Sequence, residues 1–387
     1  MGQVAENIDL GVKSGSPTDV DAERAFVATQ WQLMWWKFRK HKLAIGGAIF
    51  LILLYTVAVL ADFLSPNDPH KFNKLYPYAP PQPLHSVDED GFHWRPFIYG
   101  LDRRRDPRTL GVVFEVNKEK KYPVHFFVRS YPYKFWGIFE TDRHLLGIDR
   151  DPEDLNTTFY LMGSDRLGRD QLSRILYGTR ISLSIGLVGM VISFFLGILL
   201  GGMSGYYGGL MDTLIQRVIE FLRSMPTVPL WMALSAALPP TWPPLRVYFG
   251  ITIILSLVGW TGLARVVRSK FLSLREEDFI MAAQLCGSSE LRIIFKHLLP
   301  SFLSYIIASL TLSIPRLILS ETSLSFLGLG LRPPTISWGV LMSEAQNLVV
   351  VALAPWLLIP GIFIVLTVLA FNFFGDGLRD AADPYVR

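Results

Sequence analysis

The sequence predicts an all-α polytopic membrane protein with six transmembrane helices and a small β-containing insert outside the membrane. Half of its 387 residues are apolar and 13% are aromatic, a composition typical of membrane proteins. Six apolar runs are long enough to cross a bilayer core, which takes roughly 20 residues. A long mixed stretch, residues 64–160, separates the first two runs. Such a length of chain needs internal pairing, so we expect it to fold.

The apolar runs define the predicted spans. They cover residues 43–63, 182–203, 213–237, 247–266, 298–320 and 351–374. The third run is unusual because Arg217, Glu220 and Arg223 interrupt its start, while Pro226 and Pro229 interrupt its middle. A kinked helix that enters from the aqueous edge would satisfy both features. The three charged residues share one helix face, and we interpret them as the inner mouth of a pathway or an assembly contact.

Basic residues at the ends of the spans predict the orientation. One cluster precedes the first span: Lys37, Arg39, Lys40 and Lys42. A second cluster follows the fourth span: Arg265, Arg268 and Lys270. Lysine and arginine are enriched on the cytoplasmic side, so both clusters are expected there. The N-terminus, residues 271–300 and the tail 375–387 are then cytoplasmic. The insert 64–160 and the loop 321–350 lie outside.

The first 42 residues are predicted to form a cytoplasmic tail and an interfacial helix. Residues 1–21 are polar without periodicity, which predicts disorder. Apolar residues from Ala25 to Phe38 recur at helical spacing, which favours an amphipathic helix at the membrane surface. A cytoplasmic extension of the first span is the alternative. The first run begins at Leu43 and is too long for the core of a signal peptide, so we expect it to remain as an anchor.

The insert has the pattern of short strands. Pro-rich turns at 76–83 precede alternating and aromatic runs at 112–116 and 124–139. Five aromatic residues fall between Phe126 and Phe135, and we expect them to be buried within the insert or at an interface, because apolar surface is unfavourable in water. The acidic run 88–91 and the histidines lack metal-site spacing, so no metal is predicted. The single Cys286 excludes an internal disulfide.

Two segments beside the spans are candidates for a gate. From Gly163 to Gly178, charged and apolar residues fit opposite faces of a helix. A solvated amphipathic helix and a role in the pathway are both open, and the candidates are Asp165, Arg166 and Arg169. The Gly-rich string 323–330 is too broken for a plain span, which favours a re-entrant or gate element. Its candidates are Ser325, Phe326 and Leu327, with a surface loop as the alternative.

Residues 271–300 form a polar, helix-prone segment between two apolar runs. Ser273 is a candidate N-cap, and carboxylates suited to a helix start follow it: Glu276, Glu277 and Asp278. Gly287 then breaks the helix, and Ser288 or Ser289 caps a second one. Glu290 lies in the first turn of that helix, basic residues including Arg292 follow, and Pro300 ends it. The pattern predicts a cytoplasmic helical hairpin.

The spacing of Ala282, Ala283 and Gly287, followed by Leu299-Pro300, resembles the EAA loop of ABC importer membrane subunits. Four further blocks, at residues 163–183, 205–209, 321–339 and 371–384, resemble signature segments of the peptide/nickel-type permeases. The chain is therefore similar to the C-type subunit of that family over most of its length after residue 160. The resemblance implies the type I importer permease fold, with a core at 161–374. One departure is Met281, where the family has glutamate; Asp278 or Glu277 are candidates to replace it.

The resemblance implies a permease subunit of the bacterial inner (cytoplasmic) membrane. Its implied partners are a second related permease, two ATP-binding subunits that hold ATP and Mg, a periplasmic solute-binding protein and membrane lipid. The loop at 271–300 would couple to the ATP-binding subunits. The residues assigned to this contact are Asp278, Met281, Ala282, Ala283, Gly287, Glu290, Arg292 and Pro300. The substrate would be a peptide, with oligosaccharides, opine-like compounds and chelated nickel as alternatives.

Other classes of function lack their sequence signals. The chain has no GxxxxGK[ST] phosphate loop, HExxH or GxSxG motif and no intramembrane Asp pair, so we assign it no catalytic residue and no bound cofactor. A self-contained channel or secondary transporter would need intramembrane charges or duplicated halves, which are not evident. The sequence also lacks the basic and aromatic stripe of a nucleic-acid-binding protein.

Overall fold

The computed structural model describes residues 29–88, 91–105, 107, 111–149 and 157–382. The helices, in chain order, are α1 (Gln30–Lys40), α2 (Lys42–Val59), α3 (Ala61–Leu64), α4 (Gln171–Tyr207), α5 (Gly209–Ser224), α6 (Thr227–Ala236), α7 (Pro244–Leu274), α8 (Asp278–Leu285), α9 (Glu290–Arg292), α10 (Leu299–Ser301), α11 (Leu303–Phe326), α12 (Trp338–Ser343), α13 (Leu348–Leu353) and α14 (Ile359–Ala382). A π-helical stretch, Ile293–Leu298, joins α9 to α10, and short 3-10 turns, Glu344–Gln346 and Pro355–Leu358, flank α13.

Five segments among the described residues are long and apolar enough to cross a membrane. They are Lys42–Val59, Gln171–Tyr207, Pro244–Leu274, Leu303–Phe326 and Pro355–Ala382. Helix α4 occupies the middle of the bundle, and its buried Leu183 shares a core with Leu54 of α2, Ile318 of α11 and Phe371 of α14. Trp338 is fully buried in this core. We call the end of the bundle that bears residues 64–160 the insert end, and the opposite end the hairpin end.

Glycines on α4 allow it to approach α7 closely. Gly197, Gly201 and Gly205 recur every four residues and therefore lie on one helix face. A Cβ atom on Gly201 would lie 2.5 Å from the carbonyl oxygen of Ala264. Small residues at this spacing let two helix backbones pack directly against each other in a membrane. The α4–α7 pair is thus fixed by backbone proximity.

The predicted third span, 213–237, is not one continuous helix. It is divided into α5 and α6 by a break at Met225 and Pro226. Met225 adopts the extended conformation (φ −85°, ψ 140°) that a following proline imposes, which explains the expected kink. The two helices still run along α7 from one end to the other. Asp212 of α5 pairs with Arg268 near the hairpin end, and Trp231 of α6 packs beside the cluster around Tyr248 at the insert end.

Other boundaries differ from the prediction. The fifth span begins at Leu303 and continues to Phe326, and the last helix continues to Ala382, into the predicted tail; residues 383–387 lie outside the described part. Near the N-terminus, α1 begins with a capping box between Thr29 and Gln32. His41 (φ −86°, ψ 90°) separates it from α2, so α1 is a separate helix and not an extension of the span. The predicted disorder of residues 1–21 lies outside the described residues.

The insert is a four-stranded antiparallel sheet in the order β1 (His85–Asp88), β2 (Gly91–Arg105), β3 (Val112–Phe135) and β4 (Phe139–Ile148). The presence of strands is confirmed, but β3 has 24 residues and is not the short strand predicted. A shift in pairing between Arg129 and Tyr133 interrupts its register with β4. Phe126 and Phe127 are 63% and 61% exposed, so the insert itself does not bury them, and burial at an interface stays a prediction for these two residues.

Polar contacts hold the two chain ends of the insert together and join it to the loop before α4. The amide of Gln82 donates to the carbonyl of Tyr160 at 2.8 Å, and the side chain of Gln82 accepts from the amide of Tyr160 at the same distance. The Ser164 hydroxyl donates to the carbonyl of Tyr76 at 2.6 Å and accepts from the amide of Ala79. Because all these groups are buried, each bond satisfies a group that water cannot reach. The base is therefore fixed.

Candidate functional site

At the hairpin end, residues 275–302 form a helical hairpin, which the sequence predicts at 271–300. Its second arm does not end at Pro300 as predicted, because the turn Leu299–Ser301 continues past it to Phe302. Its first helix, α8, begins after Glu277 and has Asp278 in its first turn, where a carboxylate opposes the positive helix end. The prediction that Ser273 caps this helix is wrong. Helix α7 continues through Leu274 because Phe271, one turn before its end, is fully buried and holds that turn in the core.

Gly287 is the break in the hairpin, as predicted. It has φ +74°, a left-handed conformation that glycine adopts without a Cβ clash. The amide of Ser288 donates to the carbonyl of Ala283, and the amide of Gly287 donates to that of Gln284, at 3.1 and 2.9 Å. These two bonds form a Schellman motif, which satisfies the last carbonyls of a helix while turning the chain. The second arm then starts at Glu290, also as predicted.

An apolar core attaches the hairpin to the bundle. Ile280 from the first arm, with Ile293 and Leu298 from the second, is fully or almost fully buried against Phe271 and Phe302. Close packing of this kind resists deformation, because each side chain occupies a defined space. The hydroxyl of Tyr207, at the end of α4, also donates to the Glu290 carboxylate at 2.9 Å. The hairpin is thus bound to the ends of α4, α7 and α11.

The opposite face of the hairpin is exposed and largely apolar. Its exposed apolar side chains are Phe279, Met281, Leu285, Leu291 and Phe295. Leu285 is 89% exposed, and Met281, at the position where the resemblance expects glutamate, is 44% exposed. Asp278 and Glu277 are exposed beside them, and so are Ala282, Arg292 and Pro300. A group of exposed apolar residues rimmed by charge marks a docking surface.

Charged residues near the hairpin end fall into two groups. Asp212 of α5 makes two hydrogen bonds with Arg268 of α7 and accepts a third from the Ser204 hydroxyl of α4, which joins three helices. Arg217 pairs with Glu220 at 2.7 Å, as their spacing predicts, on the exposed face of α5. Arg223 follows on the same helix and is exposed. The first group fixes the bundle, and the second faces outward from it.

At the insert end, the structure brings two of the predicted gate residues into a buried ionic cluster. Asp165 receives the Arg169 guanidinium at 2.6 Å and the Arg174 guanidinium at 3.3 Å, and Arg169 also reaches Glu344 at 3.4 Å. The prediction of a solvated helix from residue 163 is wrong. The helix starts at Gln171, and the residues before it form a loop in which Asp165, Arg169 and Asp170 are almost fully buried.

Arg166 lies at the edge of this cluster. Its side chain is 57% exposed, and its guanidinium lies 3.8 Å from the Glu344 carboxylate. Burial raises the pKa of the Glu344 carboxyl above its usual value, and the negative charge of Asp165 raises it further. The nearby arginines lower this pKa, but by less. The cluster ties the loop before α4 to the turn after α12.

The other gate candidates lie at the end of α11. Ser325 and Phe326 are its last residues, so the predicted re-entrant element is instead the end of a regular helix. Ser325 and Ser337 both donate to the Glu321 carboxylate at 2.7 Å, inside the bundle. Leu327 follows the helix and is 49% exposed. Glu321 was not among the predicted residues, although a single glutamate beside an apolar run is a signal for a functional or structural position.

A cavity of about 530 Å³ opens between α4, α7 and the loop before α12. Its lining includes Tyr177, Arg180, Ser184, Tyr248 and Thr335. Arg180 pairs with Asp62 at 2.9 Å, and the Tyr177 hydroxyl donates to the same carboxylate at 2.6 Å. The lining is mostly apolar with a few oriented polar groups, as in solute-binding sites. The described residues include no cluster of potential metal ligands.

The two candidate sites lie at opposite ends of the same helices. Helix α7 has 31 residues and reaches from the cavity to the helical hairpin, a length of about 46 Å at 1.5 Å per residue. The cavity could admit a solute, while the hairpin could bind a protein. Because α4 and α7 contact both sites, movement of one end can reach the other through packed helices.

Comparisons with known proteins identify the family of this chain. A family profile described as binding-protein-dependent transport system inner membrane component matches residues 197–387, and one described as N-terminal TM domain of oligopeptide transport permease C matches 29–81. The dipeptide transport system permease protein DppC of Bacillus subtilis is 31% identical over 91% of this chain and 85% of its own length. The oligopeptide transport system permease protein OppC of Haemophilus influenzae is 42% identical over 59% of this chain and 71% of its own length. A chain of the inward-facing MetNI methionine ABC transporter covers 55% of this chain and 97% of its own, with 18% identity and a TM-score of 0.42.

Proposed function

Because this chain belongs to the family of peptide-transport permeases of binding-protein-dependent systems, we propose that it moves peptides across the bacterial inner membrane as one of two permease subunits. The family membership confirms the resemblance predicted from the EAA-like spacing. The names of the DppC and OppC relatives specify dipeptide and oligopeptide transport, which supports peptides as the class of substrate here. Oligosaccharides, opine-like compounds and chelated nickel remain the competing substrates.

The helical hairpin is the observation that supports this function most strongly. It is attached to α7 and α11 by buried apolar side chains, while its other face exposes Met281 and Leu285. A rigid base and a free apolar face suit an element that receives force from another protein and passes it to membrane helices. We assign the free face to the ATP-binding subunits, of which two would be present, with ATP and Mg bound there and not to this chain.

The topology we propose has six crossings, with α5 and α6 together forming the third. The two helices extend along α7 between the bundle ends although neither is long enough alone. Basic residues beside α2 and α7 favour a cytoplasmic hairpin end, with both termini on that side. The insert then faces the periplasm, where a solute-binding protein delivers its ligand.

The exposed face of α5 supports a second permease beside this chain. Leu214 and Phe221 are 62% and 60% exposed on the same helix as the exposed Arg217–Glu220 pair. Charged groups in lipid are costly, so this face suits a water-filled pathway shared with a partner. Arg217, Glu220 and Arg223 would then line its inner mouth. The cavity around Arg180 would form part of its outer mouth.

Transport would follow from two arrangements of the bundle. Closure of the ATP-binding subunits would draw the helical hairpins together, and the packed core around Phe271 would pass that motion to α7 and α11. The pathway would then open to one side at a time, which is a shift between two populated states. The Asp165–Arg169–Glu344 cluster would hold the periplasmic end closed until then.

Leu285→Asp tests the assigned contact. Leu285 is 89% exposed, so the charge should not disturb folding of this chain. It should abolish binding of the ATP-binding subunits, because it buries a carboxylate in an apolar interface. Leu348→Asp is the matched control, since Leu348 is 84% exposed at the insert end. Co-purification from cells that express all subunits measures the result. Normal recovery of the ATP-binding subunits with Leu285→Asp would exclude this contact.

The substrate is tested separately. The complete transporter is reconstituted in vesicles and its binding protein is added to the assay. These vesicles should accumulate labelled dipeptides or oligopeptides when ATP is supplied. Unlabelled peptides should compete, and an oligosaccharide or a nickel chelate should not. Uptake of either of those compounds without peptide uptake would identify a different substrate while leaving the subunit's role unchanged.

A further inference from the structure

The turn between β3 and β4 exposes a compact group of apolar side chains. Residues Phe135–Phe139 read Phe-Trp-Gly-Ile-Phe, and we call them the aromatic tip. Trp136 is 61% exposed, and Ile138 and Phe139 are each 69% exposed. Phe127, farther back on β3, is 61% exposed as well. Most of this surface is left uncovered within the chain, so a neighbour outside the chain is expected to cover it.

The aromatic tip lies beside the end of the first membrane helix. The indole N–H of Trp136 donates to the carbonyl oxygen of Val59, the last residue of α2, at 3.1 Å. The ring of Phe127 lies 6.0 Å from that of Phe63 in α3. Helix α2 has 18 residues, about 27 Å at 1.5 Å per residue, which is close to the thickness of a bilayer core. Its last residue therefore marks the membrane boundary.

The apolar surface of the tip continues the lipid-facing surface of α2. Ile52 and Leu53 are 67% and 60% exposed on that helix, and Val59 at its end is 43% exposed. Tryptophan and other aromatic side chains are enriched at this level of membrane proteins, where the ring contacts acyl chains and the N–H finds a polar partner. The bond from Trp136 to the helix end meets both conditions.

Charged pairs lie on β3 and β4 next to the aromatic tip, on the side toward the rest of the sheet. Lys134 of β3 pairs with Glu140 of β4 at 3.0 Å, and Arg129 lies 3.9 Å from Asp142 farther along the same strands. All four side chains are substantially exposed. An apolar end followed by a charged collar matches the change from acyl chains to phospholipid head groups.

We propose that the aromatic tip inserts into the outer interface of the lipid bilayer beside α2 and anchors the free end of the sheet to the membrane. The occupant is phospholipid, with acyl chains around Trp136, Ile138 and Phe139 and head groups around the charged collar. A protein partner on the same side chains is the competing outcome. The inference goes beyond the transport function, because it depends only on α2 crossing the membrane.

The depth of a spin label at position 138 tests this anchoring. Cys286→Ser removes the chain's single cysteine, Ile138→Cys then carries the label, and the complete transporter with cysteine-free partner subunits is placed in lipid nanodiscs. Val116→Cys is the matched control. Val116 is 59% exposed on β3, next to the exposed Glu115–Arg104 pair, and should face water. Collision of each label with oxygen, which partitions into lipid, is compared with collision with a water-soluble nickel chelate.

The label at position 138 should collide several-fold more with oxygen than with the chelate, and the label at position 116 should show the reverse. Addition of the binding protein should leave the value at position 138 unchanged. A label at position 138 that meets the chelate as readily as at position 116 would place the tip in water. A label shielded from both reagents would place it in a protein interface. Either result overturns the proposal.

Discussion

The helical hairpin and the insert end of the bundle are held in place by different forces. At the hairpin end, Ile280, Ile293 and Leu298 are buried, and the charged side chains of the hairpin remain outside. At the insert end, Asp165 and Arg174 are each 1% exposed, so charge itself is buried. An apolar core moves as a unit without losing bonds, whereas a buried ionic cluster separates only at a large cost. The first arrangement suits an element that transmits motion, and the second suits a closure.

Loss of a carboxylate from the ionic cluster should have the largest effect on stability. Asp165→Asn leaves Arg174 buried without its counter-charge and leaves Arg169 with Glu344 alone. Breaking a buried pair in this way costs about 3–5 kcal/mol. Asp278→Asn, an exposed carboxylate of the hairpin, is the control and should change stability by less than about 0.5 kcal/mol. Denaturant unfolding of the purified subunit in detergent measures both. Equal effects would show that the two ends do not differ in this way.

Truncation in the core of the helical hairpin should have the next largest effect. Ile280→Ala opens a cavity at a fully buried position and should cost about 2–4 kcal/mol. Its exposed neighbour gives the contrast, because Leu285→Ala should leave stability almost unchanged and weaken only the contact with the ATP-binding subunits. Thermal unfolding and co-purification, measured on the same two variants, separate the roles. Reversed results would mean that the assigned faces are interchanged.

The smallest effect is expected on α5. Glu220→Gln removes the partner of Arg217, and both side chains are largely exposed, at 51% and 75%. A pair of this kind contributes about 0–1 kcal/mol. Denaturant unfolding of the isolated subunit should therefore match that of the wild type. If the pair lines the pathway, the variant should change the transport rate of the assembled complex. A large loss of stability in the isolated subunit would show that the pair is structural.

The sequence predicted features whose causes are local. The positive φ of Gly287 and the break before Pro226 both follow from the backbone properties of the residues themselves. It did not predict which charges are buried, because Arg169, which pairs with Asp165, also pairs with Glu344, far away in the chain. Ser273 was wrongly assigned as a cap, since packing of Phe271 extends α7 beyond the local signal. Glu321 could have been found as a lone acid beside an apolar run.

Reaction of the native Cys286 thiol with a membrane-impermeant maleimide tests the central claim most directly. Cys286 is the single cysteine of the chain and is exposed between the two arms of the helical hairpin. If this hairpin is the cytoplasmic contact of the ATP-binding subunits, the thiol should react quickly in inside-out vesicles stripped of those subunits. It should react slowly when they are bound, and it should not react in right-side-out vesicles. Equal labelling with and without the ATP-binding subunits, or labelling from the periplasmic side, would contradict the account.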